Sequence, residues 1–221
     1  MRMNGIIIIT SLSIILSTKN MSKNGLIMGH LLSAAAAEQR LNIYLTNSLE
    51  PHTANNTADL FFTSVGAESA GANDVKKNRF FSVIIGNPPY NGESKNTDPW
   101  IMSLMNDYKK EPGGLVKLQE KNTKWINDDY VKFIRLGQFH LQKNGIGILA
   151  YINPHGFLDN PTYRGVRWSL LDCFDKIKIV DLHGNSNKNE SAEDGGVDVN
   201  VFDIKAPDDT LICSKGSSQL T

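Results

Sequence analysis

Asn87-Pro88-Pro89-Tyr90 is the stretch with chemical potential in this chain of 221 residues. The Asn87 side-chain oxygen can accept a hydrogen bond from an amino group. The Pro88 carbonyl, which two prolines keep out of any ladder, can accept a second. Two acceptors around one planar nitrogen draw its lone pair out of conjugation and aim it at an electrophile. Tyr90 adds a ring face on which a planar base can stack. The plain reading is a Pro-Pro turn after a strand, because Asn-Pro is common in turns.

The element that must carry the motif precedes it. Residues 79–85 contain Phe80, Phe81, Val83, Ile84 and Ile85, β-branched or aromatic, and read as a short buried strand that Gly86 ends. Downstream, a helix is predicted over residues 127–143, with Tyr130, Phe133, Ile134 and Leu141 at helical spacing. Asp128 and Asp129 lie in its first turn, Lys143 in its last, and Gly145 just beyond. An apolar strand over residues 146–152 follows at once. A helix running into a buried strand argues a parallel α/β sheet, which would bring Asn153-Pro154-His155-Gly156-Phe157 near Asn87.

Further elements are read more thinly. Residues 26–40 are helix-prone through Ala34–Ala37, residues 42–45 form a strand, and residues 50–79 are polar and irregular. Residues 91–98 are a mobile polar loop and residues 100–108 a short helix. A helix is expected over residues 163–174, with Arg164 and Arg167 solvated or facing phosphates. Strands are expected at 177–182 and 200–204. The apolar run 5–16 lacks a signal-peptide cleavage site and is too short to span a bilayer. It is a buried strand or foreign to the fold, and the second is favoured.

Composition bounds the rest. The formal charge is +0, with 40% hydrophobic and 21% charged residues. That is ordinary for one soluble domain and gives no bulk electrostatic case for nucleic-acid binding. Cys173 and Cys213 have neither metal nor disulfide spacing.

Four stretches carry a resemblance: Arg40-Leu-Asn-Ile-Tyr-Leu-Thr-Asn-Ser-Leu-Glu50, Asn87-Pro-Pro-Tyr90, Ala150-Tyr-Ile-Asn-Pro-His-Gly-Phe-Leu158 and Asp181-Leu-His-Gly-Asn185. Together they resemble the adenine-specific DNA methyltransferase part of bacterial enzymes that fuse restriction and modification in one chain. The resemblance implies a Rossmann-like α/β sheet, mostly parallel, with helices on both faces. It implies S-adenosylmethionine as methyl donor without a metal, double-stranded DNA as partner, and a bacterial cytoplasmic location without membrane attachment. Asn87 and Pro88 would hold the adenine amine, Pro89 would stiffen the turn, and Tyr90 would stack the flipped base. Asn47 and Leu49 would meet the cofactor, and Phe157 and Lys188 would border the base. His155 receives no acid–base role.

The Gly-rich turn that such a sheet uses for the cofactor's methionine end is not found upstream of Asn87. The fold is therefore expected to lack its first strand and glycine loop, as a fragment that a missing enzyme half or restriction subunit completes. The expected division is 1–25 an N-terminal apolar segment, 26–204 a partial catalytic domain and 205–221 a flexible tail. Two alternatives stand: an inactive fragment, or a methyltransferase for another planar amine or amide, such as a protein glutamine or an RNA guanine.

Overall fold

The computed structural model describes residues 4–9, 13–17, 42–52, 64–90, 92, 94–182 and 208–216. The expected helix 26–40, the strand 200–204 and Lys188 lie outside these residues. Seven strands form one sheet in the order β3-β2-β1-β4-β5-β7-β6. They are β1 (Asn4–Ile9), β2 (Ser13–Ser17), β3 (Asn42–Leu45), β4 (Phe80–Gly86), β5 (Gly147–Pro154), β6 (Lys176–Asp181) and β7 (Asp208–Lys215). The described α-helices are α1 (Ser64–Asn78), α2 (Pro99–Met105), α3 (Asp129–Asn144), α4 (Gly156–Asp159) and α5 (Arg164–Cys173).

The sheet is mixed, which corrects the expectation of a mostly parallel one. β1 pairs parallel with β4, and β4 parallel with β5. β2 runs antiparallel to both β1 and β3, and β7 antiparallel to both β5 and β6. The reason at β2 is chain length. Only residues 10–12 separate β1 from β2, and a parallel return needs a crossover of a dozen residues or more. The first-strand position beside β4 is not vacant either: residues 4–9 fill it. The apolar run is thus built into the sheet, contrary to the favoured reading.

Two further expectations fail. Residues 64–78 are α1, not irregular chain; Ala72 and Val75 are buried, and the helix packs so closely on β3 that a Cβ on Gly71 would meet Tyr44 at 2.3 Å. Residues 208–215 are not a tail. They form β7, inserted between β5 and β6, with Leu211 and Cys213 buried. Burial pushes the Cys213 thiol up to about 12, and both cysteines are free.

The predicted α3 is present and ends as expected, on Gly145 in the left-handed region (φ 81), whose N–H donates to Leu141 O at 2.8 Å. It is buried nearly all round from Asp129 to Gln138, not along one stripe. Gly137 lets it approach β5: a Cβ there would stand 2.6 Å from Leu149 Cδ1. Phe81, Ile84, Ile134, Leu149 and Tyr151 belong to the buried cluster that α3 and the sheet share. Each such side chain stabilises the fold by about 1.5–3 kcal/mol.

All this core lies on one face. Along β5 the buried positions Leu149, Tyr151 and Asn153 alternate with more open ones. The opposite face carries Ile85 (46% exposed), Ile148 and Val180, and on β3 Ile43 and Leu45 (63% exposed). Among the described residues the helices therefore cover one side of the sheet, where both were expected to be covered.

Candidate active site

β4 delivers the motif. Val83, Ile84, Ile85 and Gly86 are laddered to Ile148, Leu149, Ala150 and Tyr151 of β5, so Asn87 leaves the sheet at the carboxyl end of two parallel strands. Pro88 is buried and anchors the turn, while Asn87 is exposed. The Tyr90 hydroxyl donates to Asn87 Oδ1 at 2.9 Å, with Ile152 O a second acceptor at 3.4 Å.

Behind Tyr90 stands an aromatic wall. Its ring meets Tyr130 edge-on, with centroids 6.4 Å apart and planes at 89°; Tyr130 in turn tilts against Phe157 at 6.5 Å. Phe157 is fully buried, so it backs Tyr130 and does not itself face the opening. Burial, with the Tyr163 hydroxyl close by, pushes the Tyr130 phenol well above its ordinary range. Both rings are therefore neutral supports. Tyr163 donates to Trp125 O at 3.2 Å and fixes the base of the wall.

The described residues of the expected loop 91–98 are tied to α3. Gly92 N–H donates to Asp128 Oδ2 at 2.9 Å. The Ser94 hydroxyl donates to Asp129 Oδ1, and Asn96 Nδ2 donates to the same oxygen at 2.9 Å. Lys132 Nζ donates to Ser94 Oγ at 2.6 Å and to Asn96 O at 2.5 Å. Lys132 is 1% exposed; burial draws its pKa down, against the pull of Asp129. Asp98 closes the segment by accepting from Trp100 N–H at 2.8 Å and so starts α2.

Sequence reasoning read Asp128 and Asp129 as complements of the helix dipole and did not single out Lys132 or Asn96. The available signal was spacing: Asp128 and Lys132 stand four apart, on one face of α3. Tyr130 was read as core, and its place between two clamping residues was not legible.

The other expected contacts are scattered. Asn47 lies at the carboxyl end of β3, but its carboxamide is already engaged. Oδ1 accepts from Leu49 N–H at 3.1 Å; Nδ2 donates to Glu50 at 2.8 Å and to Asn96 Oδ1 at 2.9 Å. Lys76 Nζ donates to the Asn47 carbonyl at 2.7 Å. The Leu49 side chain is in the core, leaving only its backbone for a ligand. His155 is buried just ahead of α4. Arg164 is engaged within the chain: it holds Glu111 at 2.6 Å and also Glu120, and keeps the Glu111 carboxyl down at about 2. Arg167 donates to the carbonyls of Phe157 and Asn160, both at 2.8 Å.

At the end of β5, beside the motif, Asn153 is fully buried, and neither carboxamide atom has a protein partner among the described residues. A buried unpaired polar group costs about 1–3 kcal/mol, so its retention calls for a reason. No group of three or more metal-ligating side chains occurs among the described residues, and no described helix is long and apolar enough to cross a membrane.

The chain matches the Eco57I restriction-modification methylase family over residues 4–188. No curated protein sequence matches significantly. Among solved structures, the chain is similar to an ATP-dependent Type ISP restriction-modification enzyme, LlaBIII, bound to DNA. The identity is 23% and the TM-score 0.62, over 79% of this chain and 11% of that one. A nuclease-deletion mutant of the Type ISP enzyme LlaGI, in complex with a DNA substrate mimic, matches at 19% identity and a TM-score of 0.61, over 84% and 15%. The DrdV–DNA complex matches at 27% identity and a TM-score of 0.52, over 70% and 15%. The chain thus spans only 11 to 15% of the length of these enzymes. With the match running over most of its residues, the chain belongs to the Eco57I restriction-modification methylase family.

Proposed function

We propose that this chain is the target-holding part of an adenine-specific DNA methyltransferase in a restriction–modification system, acting on double-stranded DNA with S-adenosylmethionine as donor. One observation carries the reading. An exposed Asn87 stands on a Pro-Pro turn at the end of β4, next to a tyrosine braced by a buried aromatic wall. In this reading Asn87 Oδ1 and the Pro88 carbonyl accept the two N–H bonds of the adenine amine, freeing its lone pair. Pro89 holds the turn, Tyr90 stacks the extruded base, and Tyr130 and Phe157 keep Tyr90 upright. Lys188 remains a candidate at the far border of the base.

The described residues suit the amine better than the cofactor. Beside β4, where a strand would lead through glycines into a helix, β1 is followed after three residues by the antiparallel strand β2. Asn47 and Leu49 are left as the candidates for the cofactor's adenosine, with the methionine end unaccounted for. That observation favours a second reading, in which this chain binds the base but turns over nothing until another segment or subunit completes the cofactor side.

The test is methyl transfer from labelled S-adenosylmethionine to unmethylated duplex DNA, with N6-methyladenine detected by mass spectrometry. The expected signal is lost, by about a hundredfold or more, in Asn87→Ala, which removes a preorganised acceptor from the reacting nitrogen. Label found in protein glutamine or RNA guanine instead would sink the adenine assignment. No transfer and no cofactor binding by calorimetry, from a folded sample, would select the second reading.

A further inference from the structure

The acceptor that the target amine needs is occupied from within. The Tyr90 hydroxyl stands 2.9 Å from Asn87 Oδ1, and its one proton has a second acceptor, Ile152 O, at 3.4 Å. The ring that carries it is confined at its back by Tyr130, and the chain beyond it is tied down at Gly92 by Asp128. The hydroxyl therefore has two nearby positions for its bond while the ring stays in place. We propose that, within the adenine-holding role above, the Tyr90 hydroxyl is an internal stand-in for the target amine: it caps Asn87 Oδ1 in the empty site and passes its bond to the Ile152 carbonyl when an amine arrives.

Two consequences follow from the chemistry. An exposed carboxamide rotates freely and presents oxygen or nitrogen with little preference. A donor 2.9 Å from Oδ1 holds the oxygen end in place before any base arrives. The same donor makes the oxygen a poorer acceptor for a newcomer, so a base must supply an N–H of its own to take over. The exchange costs part of one hydrogen bond, because the Ile152 carbonyl at 3.4 Å is a longer and weaker acceptor than Asn87 Oδ1 at 2.9 Å. A base with a carbonyl at that position offers no proton to Asn87 and meets an acceptor with an acceptor.

The test uses the full chain, its Tyr90→Phe variant and the Asn87→Ala variant, with deoxyadenosine monophosphate and deoxyinosine monophosphate as probes. The first readout needs no ligand: the side-chain carboxamide resonance of Asn87, identified by its loss in Asn87→Ala, is expected to move in Tyr90→Phe. The second is affinity. Tyr90→Phe keeps the stacking ring and is expected to bind deoxyadenosine monophosphate about two- to tenfold more tightly than the unaltered chain, the range set by one neutral hydrogen bond. Deoxyinosine monophosphate should bind weakly to both, and Asn87→Ala should lose the preference for adenine. An Asn87 resonance that does not move in Tyr90→Phe, or equal or weaker adenine binding by that variant, overturns the stand-in. Failure of every form to bind the adenine nucleotide overturns the adenine reading itself, and the Asn87 resonance then decides the hydroxyl's place alone.

Discussion

At the carboxyl ends of β4 and β5, Asn87 to Asp98 are held by an aromatic wall on one side and by Asp128, Asp129 and Lys132 on the other. Next along the chain from β1 is its antiparallel neighbour β2, and at β3 the polar atoms of Asn47 are consumed by its neighbours. One side is a braced turn on which Asn87 is exposed, and on the other the Asn47 carboxamide is held by its neighbours. The difference separates two tasks that a methyltransferase must combine. Gripping a planar amine takes a few rigid acceptors on one turn, which local sequence can supply. Gripping a long, charged cofactor takes a strand, a turn and a helix in a fixed order, and β1 and β2 are ordered otherwise.

The strongest way to break this contrast is through the clamp. Lys132→Met should destabilise the fold by about 3–5 kcal/mol, because it leaves the buried Asp129 without its neighbouring cation. Thermal unfolding measures the loss, and a shift under 1 kcal/mol would mean that the clamp does not hold the turn as described. Adenine binding should fall further than a stability loss explains, since the segment from Gly92 to Asn96 is released.

A smaller effect comes from acidification. Burial holds His140, set edge-on to Phe81 at 5.1 Å, down at about 4. The unfolded imidazole titrates near 6.5, so the unfolded state takes up the proton first. Stability is present in full above about pH 6.5 and is lost as the pH falls toward 4, by roughly 1–2 kcal/mol at pH 5. His140→Leu should flatten that part of the profile in urea titrations at pH 7.5, 6 and 5. An unchanged slope would exclude His140 as its source.

The smallest change sharpens the contrast. Asn153→Leu removes two unpaired buried atoms and should raise the unfolding free energy by about 1 kcal/mol. If Asn153 is kept for the base and not for the fold, the same variant loses adenine affinity. Lower stability with unchanged affinity would assign it to packing.

The parts of the molecule legible in the sequence are those where local chemistry and tertiary environment agree. Phe80 to Ile85 read as strand because the neighbouring strands reinforce the β-branched run, and Gly145 reads as a helix end because glycine takes that φ with no Cβ penalty. α1 was not legible. Its small and polar residues give little periodicity, and its place is set by Gly71 meeting Tyr44 of a distant strand. β7 was missed because its described buried residues, Leu211 and Cys213, stand in a short run between polar flanks, and its pairing partners lie far back in the chain. The end of β4 at Gly86 and the Pro-Pro turn after it were legible. Its clamp was not, because Asp128, Asp129 and Lys132 look the same on a helix facing water as on one facing a loop.

The position of β7 has a consequence for how such a protein is made. It is the final described strand in chain order, yet it lies between β5 and β6. Until residue 215 has left the ribosome, β5 presents an open edge and β6 has nothing to pair with among the described strands. At about 5–20 residues per second, that interval lasts seconds, ample time for an unpaired apolar edge to meet another nascent chain. A stop or cut ahead of residue 208 would make the interval permanent. Such a chain would keep its whole Asn-Pro-Pro-Tyr turn and still be lost to aggregation.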